Sequence, residues 1–155
     1  MPAMHLTRHA CKSLIVIAAV FAAALPSTGE ASAEGPVTFR SRLGDLCLDA
    51  PSDAWPTQVV VNPCNGSDFQ RWNVTGDQKL ESVAFPGKCL TMPSSDAMVS
   101  RLQPCWTSQR WIVQPDGRVT TVFGPCLTAL GGPGASVAAR ICTGGPEQGW
   151  DSVTR

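Results

Sequence analysis

Tyrosine is absent from this chain, and both histidines, His5 and His9, lie at its very start. Lysine is scarce: beyond Lys12 there are only Lys79 and Lys88. No apolar run reaches the roughly 20 residues that a bilayer span needs. The longest, SLIVIAAVFAAAL from Ser13 to Leu25, has 13. Arg8 and Lys12 precede it, and small residues follow it down to ASA at Ala31 to Ala33. A positive segment, a short apolar segment and an A-x-A site predict a secretory signal peptide over residues 1–33, cut near Ala33–Glu34. A lipid-anchored cysteine would have to follow the apolar run, and Cys11 precedes it. The expectation is a secreted, extracellular protein with no membrane insertion after cleavage.

Each shortage excludes a chemistry. With the leader removed, residues 34–155 hold no histidine, so neither a Ser-His-Asp or Cys-His relay nor a histidine zinc site is available. The same segment carries 10 Lys plus Arg against 11 Asp plus Glu. Such a balance offers no basic footprint for nucleic acid or an anionic membrane. Paired carboxylates could in principle do acid–base work, but their positions show no convergence. No enzyme activity, metal or cofactor is expected, and 155 residues suit one domain better than two.

What the chain does have is a repeat. Gln-x-Trp occurs at Gln70 and Trp72, Gln109 and Trp111, and Gln148 and Trp150, with the glutamines 39 residues apart each time. Each copy is preceded by Cys-Leu and then by a second cysteine. Discarding Cys11 leaves Cys47, Cys64, Cys89, Cys105, Cys126 and Cys142. Six cysteines allow 15 pairings. Pairing within repeats, 47–64, 89–105 and 126–142, is the arrangement that treats all three alike. In an exported protein these are disulfides rather than metal ligands. Loops of this size contribute roughly 3 kcal/mol each in the chain-entropy view.

Short apolar and β-branched runs such as TQVVV, RVTTVF and ASVAARI are interrupted by Gly and Pro at strand-like intervals. No helical period occurs after the leader. WNVTGDQKL aligns with WIVQPDGRV, placing Asp77 over Asp116, and Pro-Asp-Gly at 115–117 is a tight-turn signal. The glycine-rich GGPGAS at 131–136 lacks a P-loop lysine and is expected to be a hairpin loop. The units divide near 35–75, 76–114 and 115–155, about four strands each. A propeller usually needs four to eight such units, whereas three can close as a barrel capped by hairpins.

The set CLD…QRW, CLT…QRW and CLT…QGW resembles the ricin B-type β-trefoil lectin family over essentially all of residues 34–155. The resemblance implies an all-β trefoil with three pseudo-threefold repeats and one disulfide in each. It also implies that Trp72, Trp111 and Trp150 build the core while the glutamines tie strands by hydrogen bonds. Sugar-binding repeats of the family carry Asp after the first Cys-Leu, an aromatic two residues before the second Cys, and Asn just before the Gln. Here the Asp positions read Asp49, Thr91 and Thr128. The aromatic positions read Asn62, Gln103 and Arg140, and the Asn positions Phe69, Ser108 and Glu147.

A sugar site is therefore expected only in the first repeat. It would comprise Asp49, Asn62 and Gln70, with Trp55 or Phe69 as a displaced aromatic platform. Trp55 reads either as a contact surface or as a lid on the barrel, and Asp49 either as a sugar ligand or as the acceptor of a turn amide. Trp106 is expected to cover the neighbouring disulfide. Asn65 and Asn73 lie in glycosylation sequons, NGS and NVT. The leading partner is a glycan or polysaccharide. The alternative is a degenerate trefoil that binds a secreted or surface protein.

Overall fold

The computed structural model describes residues 35–92 and 99–154; the predicted leader lies outside them. Twelve short strands run in chain order. The first four are β1 Val37–Ser41, β2 Leu46–Asp49, β3 Val60–Pro63 and β4 Trp72–Val74. The next four are β5 Leu80–Ser82, β6 Lys88–Thr91, β7 Arg101–Pro104 and β8 Trp111–Val113. The last four are β9 Val119–Thr121, β10 Cys126–Ala129, β11 Val137–Arg140 and β12 Trp150–Thr154. A single turn of 3₁₀ helix follows β3, β7 and β11, at Asp68–Gln70, Cys105–Thr107 and Pro146–Gln148. This is the all-β threefold architecture that the repeat implies.

Neighbouring strands pair antiparallel in one sheet ordered β3-β2-β1-β4-β5-β6-β7 and a second ordered β11-β10-β9-β8. β12 returns to β1 and pairs with it over five residues, from Val37 opposite Thr154 to Ser41 opposite Trp150. The chain's two described ends are thereby locked together. The hairpins β2–β3, β6–β7 and β10–β11 meet around a pseudo-threefold axis. There the Val59 N–H donates to Ser100 C=O, Ser100 N–H to Val137 C=O, and Val137 N–H back to Val59 C=O. A closed ring of three backbone bonds satisfies groups that burial would otherwise leave unpaired.

The core is built by the tryptophans. Trp72, Trp111 and Trp150 are buried, with Phe39, Leu48, Leu80, Leu90 and Leu127 among their companions in the cluster. Each indole N–H donates to the leucine carbonyl of its own Cys-Leu: Trp72 to Leu48 at 3.1 Å, Trp111 to Leu90 at 3.0 Å and Trp150 to Leu127 at 2.9 Å. The bond explains why the two motifs recur together. A buried indole needs an acceptor, and the strand carrying Cys-Leu supplies it. The disulfides form within repeats, as Cys47–Cys64, Cys89–Cys105 and Cys126–Cys142.

Candidate functional site

The glutamines are not equivalent. Gln70 Nε2 donates to Asp49 Oδ2 at 2.9 Å and to Pro63 C=O at 3.0 Å, while its Oε1 accepts the Asn65 N–H. Gln148 repeats the pattern with Thr128 Oγ1, Ile141 C=O and the Thr143 N–H. Gln109 is half-exposed, and its side chain makes no such bonds among the described residues. The cause is local length: the second Cys and the Gln are six positions apart in the first and third repeats but four apart in the second. The shorter loop cannot fold back over its glutamine. The fixed 39-residue spacing hides this deletion, because two extra residues between Trp72 and Cys89 offset it.

Asp49 sits at the end of β2, 5% exposed. Its Oδ2 accepts from Gln70 and from Asn62 Nδ2, the latter at 3.2 Å. Its Oδ1 is buried with no hydrogen-bond partner among the described residues. Asp49 thus receives two side-chain amides and no turn amide. Asn62, opposite Cys47 on β3, takes the position of the expected aromatic and turns its amide inward. Phe69 lies beside this cluster, since its carbonyl accepts the Ala50 N–H. Its ring is 44% exposed and tilts against Phe85, with centroids 5.8 Å apart.

Trp55 does not join the cluster. Its ring is 74% exposed, with the Arg101 guanidinium 4.2 Å from its centroid. Trp106 does not cover its disulfide: it stands 85% exposed. No signal in its immediate sequence reveals this; the two-residue deletion beside it does. Gly131 to Ser136 joins β10 to β11 as a hairpin loop. No group of three His, Cys, Asp or Glu among the described residues is placed to hold a metal.

The matching turns after β4 and β8 each carry an aspartate, Asp77 and Asp116. The Thr75 hydroxyl donates to Asp77 at 2.6 Å and is the main cause holding that carboxyl below its ordinary value. Asp116 is held low chiefly by the Arg118 N–H. Arg42 reaches across to Asp151 and to the Asp116 carbonyl, and its bond to Asp151 raises its pKa.

Residues 35–150 match the ricin-type beta-trefoil lectin domain. The chain belongs to this lectin family. A relative in Mycobacterium tuberculosis, the uncharacterized protein Rv1419, is 55% identical over 145 residues, covering 90% of this chain and 91% of the relative. Among solved structures, the chain is similar to the β-trefoil lectin of the Vibrio vulnificus hemolysin/cytolysin, solved with N-acetyl-D-lactosamine bound. That match has a TM-score of 0.65 and 22% identity, covering 78% of this chain and 95% of that one. It is also similar to the agglutinin of Abrus precatorius, with a TM-score of 0.67 and 20% identity over 78% of this chain. The chain spans about half of the agglutinin chain (49%). At these identities the structural likeness establishes the fold, and the residues present must argue the site.

Proposed function

We propose that this protein is a secreted carbohydrate-binding module whose first repeat captures a glycan through Asp49. The observation that carries the reading is the unpaired Asp49 Oδ1. Holding the repeat's glutamine does not require a carboxylate, because Thr128 does it in the third repeat with one hydroxyl. Asp49 brings a second oxygen and a charge that the fold leaves without a donor. Oδ1 is buried in the free protein, so a sugar hydroxyl satisfies it once the half-exposed Asn62 side chain, bonded to Oδ2, swings aside. Half-exposed Asn62 is bonded to Asp49, and the neighbouring Phe69 is exposed and offers an apolar face to a pyranose.

Export is supported by the leader pattern in residues 1–33 and by three disulfides, which persist in oxidising surroundings. The role is capture rather than catalysis. A monosaccharide of about a dozen heavy atoms at roughly 0.3 kcal/mol per atom binds near the millimolar range, so useful affinity calls for clustered ligands. Glycan binding by the Vibrio vulnificus relative in its solved complex supports this class of ligand.

The test is a glycan array probed with wild type and Asp49→Thr. Threonine keeps an acceptor for Gln70 while removing the surplus oxygen and the charge. The variant is expected to fold and to lose about tenfold or more of its affinity at the first repeat, the equivalent of one strong hydrogen bond to a charged group. Unchanged binding by Asp49→Thr would remove Asp49 from the site. Silence of the wild type across the array, with a protein co-purifying from culture supernatant, would replace the reading with the protein-binding one.

A further inference from the structure

The same groove recurs on all three repeats, between the strand or turn paired with a Cys-Leu strand and the loop after the second cysteine. Register defines the equivalence: Cys47 lies opposite Arg40, Cys89 opposite Glu81 and Cys126 opposite Thr120. In the first repeat the groove holds only about 70 Å³, with Thr38, Arg40 and Gly66 on its walls. In the third it reaches about 310 Å³ but is lined by Asp116, Arg118 and the Gly144–Gly149 loop, with Arg42 laid across it. In the second it is about 360 Å³, within the usual range for small-ligand sites. Its lining is Thr75, Asp77, Lys79, Glu81, Cys105 and Trp106.

The deletion makes the second groove different. In the first and third repeats the glutamine Oε1 accepts the N–H of the residue after the cysteine, Asn65 or Thr143, and draws the loop inward. In the second, the 3₁₀ turn begins at Cys105 itself, and its middle residue, Trp106, is thrown outward. Lys79 Nζ donates to the Ser108 carbonyl and holds this short loop against the β4–β5 turn. Thr75 fixes one oxygen of Asp77, and the Gly87 N–H fixes one of Glu81 at 2.7 Å. The result is an exposed indole beside two oriented carboxylates.

We propose that this groove is a second carbohydrate subsite, in which an uncharged pyranose stacks on Trp106 and donates hydroxyls to Asp77 and Glu81. The inference rests on the reading of the protein as a glycan binder but not on Asp49. An exposed indole is otherwise a costly surface residue, and its flat apolar face matches the C–H face of a sugar ring. Lys79 is committed to a carbonyl, and Arg110 offsets the charge of Asp77 from the groove's edge. The two carboxylates present acceptors that suit the hydroxyls of an uncharged sugar rather than an anionic group. The Thr75 hydroxyl holds Asp77 below its ordinary value, which extends its range as an ionised acceptor to more acidic pH. Two subsites on different repeats would let one molecule engage a branched or repeating glycan at two points.

The experiment uses an array of neutral and acidic oligosaccharides probed with wild type, Trp106→Ala, Asp77→Asn and Asp49→Thr. The strongest neutral glycan on it is then titrated against each protein. Trp106 is exposed, and the amide oxygen that Asp77→Asn introduces can still accept from Thr75. Both variants should therefore fold, which circular dichroism checks. Each is expected to weaken neutral-glycan binding by about tenfold, while Asp49→Thr retains the Trp106-dependent part. If Trp106→Ala and Asp77→Asn bind every glycan as wild type does, the second subsite is overturned, even where Asp49→Thr is silent. If they lose binding and Asp49→Thr does not, the second subsite stands and the Asp49 reading falls. Equal or better binding of acidic glycans through Trp106 overturns the proposed specificity, and a wild type silent on the whole array overturns both.

Discussion

Ser100 occupies the place that Val59 and Val137 hold in the other repeats. All three are buried and joined by the ring of backbone bonds around the pseudo-threefold axis. The serine hydroxyl finds no partner there among the described residues. A buried hydroxyl without a partner costs about 1–3 kcal/mol, and two neighbouring repeats show that valine suits this backbone. Ser100→Val is therefore expected to raise stability by about 1 kcal/mol, read by urea unfolding. A loss of stability would mean that the axis is packed too tightly for the extra methyl groups.

At the scale of the element, the turns after β4 and β8 are the same device with different residues at the left-handed position. Gly117 has φ 91° and Gln78 has φ 65°. Trp150 N–H donates to the Gly117 carbonyl and Trp111 N–H to that of Gln78, so each turn anchors the tryptophan strand at the far end of its own unit. A Cβ at residue 117 would lie 2.4 Å from Arg42 Nη2 and 3.0 Å from the Trp150 carbonyl oxygen. Gly117→Ala is expected to cost about 1–2 kcal/mol in strain, whereas Gln78→Gly relieves strain and should cost nothing. Chemical denaturation of the two variants side by side decides it: equal losses would show that the two turns do not share one backbone requirement.

For the whole molecule, no α-helix among the described residues supports the core, and three local disulfides join cysteines 16 or 17 positions apart. Replacing Cys89 and Cys105 with alanine is expected to lower unfolding free energy by about 3 kcal/mol while leaving a folded trefoil. Reducing all three bridges removes about 9 kcal/mol in the same view, comparable to the roughly 5–15 kcal/mol of a typical domain. Urea melts with and without reductant measure both. A reduced protein as stable as the oxidised one would show that the indole core alone holds the fold.

The repeat of Cys-Leu, Cys and Gln-x-Trp determined the architecture because each residue in it serves a bond made within one repeat. A sulfur meets a sulfur, and an indole N–H meets the carbonyl beside its own cysteine; local spacing encodes such contacts. Asp49 was legible from its place directly after the first Cys-Leu, which the family resemblance marks. Tertiary structure alone decided the rest. It turned Asn62 inward, left one Asp49 oxygen unpaired, placed Trp55 against Arg101 of another repeat and drove Trp106 into solvent. Those outcomes depend on which strands from distant repeats become neighbours, and on how a two-residue deletion is absorbed in space.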